Sequence, residues 1–147
     1  MKSKICVGGF LVKKKKFLFC KRSEAKSWAP GKWDIVGGRS LKNEHPFYTL
    51  QRETREEIGV TILNAELLKS VEVMEKKKQG FFTYHIYMVT HYKGKPANCS
   101  KEHTKIRWFT REELNEVSLA LPEYLTIIDE WMALPAKSAN DGLASLE

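Results

Sequence analysis

The sequence predicts an α/β domain, a mixed β-sheet with helices on its faces. Three observations predict it. Short apolar or alternating segments bounded by turn residues stand on both sides of one amphipathic segment near residues 46–59. A second amphipathic segment follows the last of them. The length, 147 residues, suits one hydrophobic core.

In chain order, residues 3–12 read as a strand and 17–22 as its hairpin partner. Lys13, Lys14, Lys15 and Lys16 form the turn between them. Residues 24–32 read as a loop marked by Pro30 and Gly31, and 33–36 as a short strand running into Gly37-Gly38. A polar connection over 39–45 leads to a helix. Pro46 suits its first turn and Gly59 its end. Residues 60–68, 71–74 and 81–92 read as strands, the last alternating Phe82, Tyr84, Ile86 and Met88 against Thr83, His85 and Tyr87. After a loop over 93–101, residues 105–109 form a further strand. Thr110 and Glu113 have capping-box spacing and open a short helix. The last helix spans 122–133, with Tyr124, Ile127, Ile128 and Trp131 available for burial. One domain over 1–135 is expected, with 136–147 a flexible polar tail.

Composition narrows the function. With 42% hydrophobic and 29% charged residues, wholly disordered and fibrous classes are excluded. No apolar stretch approaches the roughly 20 residues of a membrane-spanning helix. Lys2 and Lys4 before the apolar run 5–12 resemble a signal peptide, but four lysines and no small-residue cleavage site follow, so a buried first strand is expected. Cys6, Cys20 and Cys99 form no C-x-x-C pair, which speaks against a zinc site or a disulfide framework and for a cytoplasmic location. The net charge of +7 favours anionic partners. No aromatic residues interleave with the lysine runs 13–16 and 76–78, so solvated turns are favoured over an RNA surface. RNA stays a possible partner that is not favoured, and a homodimer is left open.

The chemistry is concentrated on the helix at 46–59. At about 100° per residue, with Glu53 at zero, Glu56 falls near −60° and Glu57 near +40°. Phe47, Leu50, Thr54 and Ile58 fall on an adjacent arc of roughly 60–140°, the face expected to pack on the sheet. Three carboxylates on one flank repel each other by about 0.2–0.5 kcal/mol per pair, and partial burial raises that cost. A divalent cation reverses the sign. Hard carboxylate oxygens suit Mg²⁺, or Mn²⁺, which keep waters and open positions for phosphate chemistry. A solvated Glu-rich helix face is the alternative from this helix alone.

The wider spacing decides between them. Gly38, Glu44, Arg52, Glu53, Glu56, Glu57, Gly59 and Val60 match eight of the nine specified positions of G-x5-E-x7-R-E-U-x-E-E-x-G-U. The stretch therefore resembles the box of the Nudix hydrolase (MutT-like) family. Thr54 stands where the pattern prefers a bulky aliphatic residue, and Val36 where many relatives have proline. The resemblance extends to the hairpin ending in Arg22, to P-G-K-W at 30–33 and to W-F-T-x-E-E-L at 108–114, covering roughly residues 3–133. It implies an α/β/α sandwich with a mixed β-sheet flanked by helices.

By this resemblance, Glu53, Glu56, Glu57 and the carbonyl of Gly38 hold the metal. Arg52 orients a carboxylate of the box. Glu44 faces the same site, as an orienting residue or a base. Glu102, six residues before Trp108, is a later candidate for base or metal ligand. Arg22 is a phosphate-binding candidate. Trp28, Trp33, Phe82 and Tyr84 can stack on a base, with core packing the competing role; Trp33 is the substrate-binding candidate among them. His45, His85 and His103 show no metal spacing and receive no role.

The implied reaction is attack of water on a phosphorus of a nucleoside diphosphate derivative. A (d)NTP pyrophosphatase giving a nucleoside monophosphate and pyrophosphate ranks first, and an ADP-ribose or nucleotide-sugar pyrophosphatase second. The family's dinucleoside-polyphosphate and ADP-ribose subgroups carry tyrosine or proline where residues 75–78 read E-K-K-K. Rivals from other classes are a module of this fold that binds nucleotide or RNA without cleaving it, and an isomerase acting on isoprenyl diphosphates. The intact glutamates argue against the first, the chain length against the second.

Overall fold

Residues alternating between two apolar environments make the first strand the axis of the molecule. The computed structural model describes residues 4–75 and 80–135. Strand β1 (Lys4–Lys13) sends Val7 and Leu11 to one side of the sheet and Phe10, with Cys6 and Val12, to the other. Strands β2 (Lys16–Arg22), β3 (Trp33–Asp34), β4 (Val36–Arg39), β5 (Thr61–Glu75), β6 (Gly80–Lys93) and β7 (His103–Phe109) complete a mixed seven-stranded sheet. β1 runs parallel to β6 from Lys4↔Phe82 to Leu11↔Val89 and antiparallel to β4 from Cys6↔Arg39 to Gly9↔Val36. Its last residues pair instead with β2, which carries β3 and β7. β5 pairs antiparallel with β6.

Helix α1 (Pro46–Ile58) covers one face and α2 (Glu123–Ala133) the other. Leu50 and Ile58 of α1 are fully buried with Val7, Leu11, Val36 and Val89, each apolar side chain contributing roughly 1.5–3 kcal/mol. Tyr124, Ile127 and Ile128 of α2 pack with Phe10, Phe17, Phe19 and Phe109. This is an α/β/α sandwich, as the spacing of apolar residues and the family resemblance imply. His45 caps α1 by accepting from the Phe47 N–H, and Gly59 ends it at φ 71°. A side chain at that φ is strained, which is why glycine stands there.

The departures from the sequence reading have local causes. The strands at 60–68 and 71–74 are one continuous β5, because register shifts near Asn64 and between Leu67 and Lys69 absorb the breaks in alternation. The strand at 33–36 divides, since Trp33 and Asp34 pair with β2 whereas Val36 onward pairs with β1. β7 begins at His103, two residues early. Thr110 and Glu113 exchange the reciprocal capping bonds, at 2.8 and 3.2 Å, but a single 3-10 turn (Glu113–Glu116) follows rather than an α-helix. Lys14 and Lys15 turn the first hairpin at φ 51° and 63°, the hand that matches strand twist. The lysine run at 76–78 and the tail at 136–147 lie outside the described residues. No helix among the described residues is long and apolar enough to cross a membrane, and Cys6, Cys20 and Cys99 are free thiols.

Candidate active site

The glycine pair of β4 brings backbone against the acidic flank of α1, and a cleft of about 370 Å³ opens there. Glu53 and Glu57 line it, together with Gly37, Gly38, Arg39, Arg22, Lys26, Trp28, Asp34, Glu102 and His103. Glu57 is 5% exposed. Its Oε1 accepts from the Gly37 N–H at 3.2 Å. The Glu53 carboxyl lies so close to Gly38 that a Cβ there would sit 2.4 Å from its Cδ. Only glycine permits that approach.

Burial pushes both carboxyls up in pKa, Glu57 well above the usual range. Glu57 is raised further by the charges of Glu53, Glu102 and Asp34, against the Gly37 bond. For Glu53 the Arg52 guanidinium opposes the effect of burial. A buried and a half-buried carboxylate side by side are an unfavourable arrangement as they stand.

Arg52 knots the neighbouring carboxylates. It reaches Glu44 through Nε and Nη2, both at 2.9 Å, Glu53 through Nη1 at 2.9 Å, and the Arg39 carbonyl at 3.1 Å. The Arg52 bonds hold the Glu44 carboxyl down at about 2, helped by the Leu41 N–H and Thr49 hydroxyl. Glu44 does not line the cleft; it orients Arg52, and through it Glu53. Glu56, expected as a metal ligand, is not among the cleft-lining residues; its side chain is 58% exposed and lies 3.5 Å from Arg52.

A second cluster in the cleft comes from the end of β2, the 23–32 loop, β3 and the residues at the entry to β7. Glu102 pairs with Lys26 at 2.6 Å, and that bond holds its carboxyl low. Arg22 is already engaged: Nη1 meets Asp34 at 3.2 Å, Nε donates to the Trp28 carbonyl, and its guanidinium stacks 4.9 Å from the Trp28 ring. Tyr124 Oη donates to Asp34 Oδ1 and Tyr84 bonds Tyr124 at 2.7 Å, so a buried polar chain ties α2 to the floor of the cleft. Burial pushes the Asp34 carboxyl up, with Tyr124, Arg22 and the Ile35 N–H pulling it back.

Trp33 does not enter the cleft. Successive strand residues face opposite sides, so Asp34 takes the cleft position and the Trp33 ring packs edge-on against Phe109, 4.9 Å between centroids. The aromatic wall is Trp28 instead, braced edge-on by Phe82. Sequence reasoning passed over Asp34, Lys26 and His103. A charged residue within the short strand read at 33–36 is a signal for Asp34; Lys26 and His103 offer none.

The donors fit a divalent cation. They are hard oxygens, among them the buried Glu57 and half-buried Glu53 carboxylates whose mutual repulsion a cation removes, set against a backbone with no side chain at Gly38. Among the described residues no three His, Cys, Asp or Glu side chains already converge as a metal group; Arg52 pairs with both Glu53 and Glu56.

The NUDIX domain family model matches residues 2–131. An 8-oxo-dGTP diphosphatase of Buchnera aphidicola subsp. Schizaphis graminum is 28% identical over 129 residues, 88% of this chain and 94% of that one. The nucleoside triphosphatase NudI of an Enterobacter species is 28% identical over 112 residues, covering 70% and 79%. Among solved structures, the E. coli ORF135 protein superposes with a TM-score of 0.75 at 25% identity, covering 93% of this chain and 96% of that chain.

Proposed function

The chain belongs to the Nudix hydrolase family, and from that premise we propose that it is a (d)NTP pyrophosphatase, hydrolysing the α–β anhydride of a nucleoside triphosphate to a nucleoside monophosphate and pyrophosphate. One observation carries the reading: the buried Glu57 carboxyl faces the cleft together with Glu53, beside the bare backbone of Gly37 and Gly38. The names of the relatives, 8-oxo-dGTP diphosphatase and nucleoside triphosphatase, support a triphosphate substrate.

Glu53, Glu56, Glu57 and the Gly38 carbonyl would hold Mg²⁺ or Mn²⁺. When bound, the ion neutralises phosphate oxygens and acidifies a water. Arg52 holds Glu53 in place and is held in turn by Glu44. Glu102, ionised at neutral pH through its Lys26 bond, takes the proton of the attacking water. Trp28 gives a flat wall for the base, its rear supported by Arg22 and Phe82.

The test is incubation with Mg²⁺ and a panel containing dGTP, 8-oxo-dGTP and ADP-ribose, with products identified by mass spectrometry. Monophosphate and pyrophosphate from a triphosphate are expected. Cleavage of ADP-ribose alone replaces the substrate class, and no product from any member removes the catalytic reading in favour of a binding module.

A further inference from the structure

His103 opens β7 and is used by nothing in the chemistry above. It lines the cleft, yet the residue is only 7% exposed. Its Nδ1 is buried without a partner, and its Nε2 makes no hydrogen bond among the described residues. Buried polar atoms left unsatisfied are costly and uncommon in folded proteins.

Slack backbone does not explain the idle ring. The preceding loop is pinned by side chains: Asn98 Nδ2 donates to the His103 carbonyl at 2.9 Å, Asn98 Oδ1 accepts from Ser100 N–H, and Ser100 Oγ accepts from Glu102 N–H. The Glu102 carbonyl accepts from Ser23 N–H at 2.9 Å, and His103 pairs in register with Arg22. The imidazole is therefore held in position with its polar atoms unspent.

The surroundings state what those atoms suit. Burial holds the ring below the usual histidine range, with Arg22 and Lys26 acting the same way and Glu102 opposing. The neutral ring has one N–H donor and one acceptor. Arg22 is already committed to Asp34 and the Trp28 carbonyl, and Lys26 to Glu102. His103 is the member of this cluster with its hydrogen bonds unmade, beside the Arg22–Asp34 and Lys26–Glu102 ion pairs.

We propose that His103 is a substrate-contacting residue that donates a ring N–H to a phosphate oxygen of the diphosphate bound in this cleft. The assignment rests on the pyrophosphohydrolase reading for the identity of the ligand. The experiment separates the two by measuring binding and turnover independently on the full chain. Binding of inorganic pyrophosphate with Mg²⁺, and of guanosine as a ligand without phosphate, is followed by calorimetry for the wild type, His103→Leu, His103→Gln and His103→Asn.

His103→Leu is expected to weaken pyrophosphate binding about tenfold or more, a charge-assisted bond lost, while guanosine binding is unchanged. KM for dGTP rises with little change in kcat. Either Gln or Asn recovers part of the loss and identifies the donating nitrogen, Nε2 or Nδ1 respectively. The Leu unfolding midpoint stays at or above that of the wild type, because an idle polar ring has been replaced by an apolar one. Pyrophosphate shifts the ¹⁵N resonance of that nitrogen in the wild type.

Pyrophosphate binding by His103→Leu within twofold of the wild type overturns the proposal, as does an equal loss of guanosine binding. Absence of pyrophosphate binding by the wild type overturns it as well. Wild type that binds pyrophosphate through His103 but hydrolyses no nucleotide keeps the contact and discards the reaction.

Discussion

Glu44 and Glu57 are the same residue type, belong to the same sequence motif and stand in opposite environments. Glu44, near the mouth of α1, is satisfied by Arg52, Leu41 and Thr49 and titrates at about 2. Glu57, one face further round and 5% exposed, has one backbone N–H against burial and three neighbouring carboxylates, and is pushed up. The first cluster is complete within the chain. The second is complete only when positive charge enters from outside. Within one helix, the Arg52 knot builds a rigid support and the Glu57 pocket builds a demand for a ligand.

The largest expected effect breaks the demanding side. Glu57→Gln keeps the Gly37 bond through its amide oxygen and removes the charge. Turnover with Mg²⁺ is expected to fall roughly a thousandfold, the equivalent of several kcal/mol of lost charge stabilisation. Thermal unfolding with and without Mg²⁺ checks the same point without activity. At a hundredfold excess over Kd the ion stabilises the wild type by about 2.7 kcal/mol, and this increment disappears in the variant. An unchanged rate refutes the metal role. Next comes Glu102→Gln, expected to lower kcat about a hundredfold if this carboxylate is the base. A near wild-type rate moves the base to Glu53, since Glu44 lies outside the cleft and is spent on Arg52.

Cutting the support is expected to do less. Arg52→Met frees Glu53 from its orienting bonds and weakens Mg²⁺ binding roughly 10–100-fold, as removal of a ligand-orienting partner does. Isothermal titration measures it. The pH dependence sharpens the contrast, because the two clusters carry opposite signs. In the cation-free protein Glu53 and Glu57 bind protons more tightly folded than unfolded, so acidification from neutral pH toward 4.5 raises stability. Glu44 has a folded value of about 2 against an ordinary 4.5, so its contribution is present above 4.5 and lost as pH falls through about 2. Unfolding midpoints in chelator across this range are expected to rise on mild acidification in the wild type and to rise less in Glu57→Gln, where Glu53 still contributes.

The smallest effect concerns the packing face shared by both clusters. Thr54 is fully buried and its Oγ1 has no partner. Thr54→Val exchanges an idle hydroxyl for a methyl and is expected to stabilise the fold by roughly 1 kcal/mol, with kcat and KM unchanged. Chemical denaturation gives the value. A loss of stability shows that the hydroxyl is satisfied in solution.

The sequence by itself determined the elements and the motif. Alternation along β1 and β6 and the 3.6-residue period of α1 are local properties, so the two-faced sheet and the buried flank of α1 followed from counting. The box spacing placed Glu53 and Glu57 together because a helix fixes the angle between residues four apart. What only the tertiary structure decided lies on loops and short strands. Lys26 meets Glu102 across 76 positions, and Tyr124 meets Asp34 across 90. Trp33 turned out of the cleft because strand parity near a two-residue β3 depends on which neighbour it pairs with. His103 entered the cleft through a loop pinned by Asn98 and Ser100. Such contacts join residues distant in the chain, and no local period carries their geometry, so folding alone brings them together.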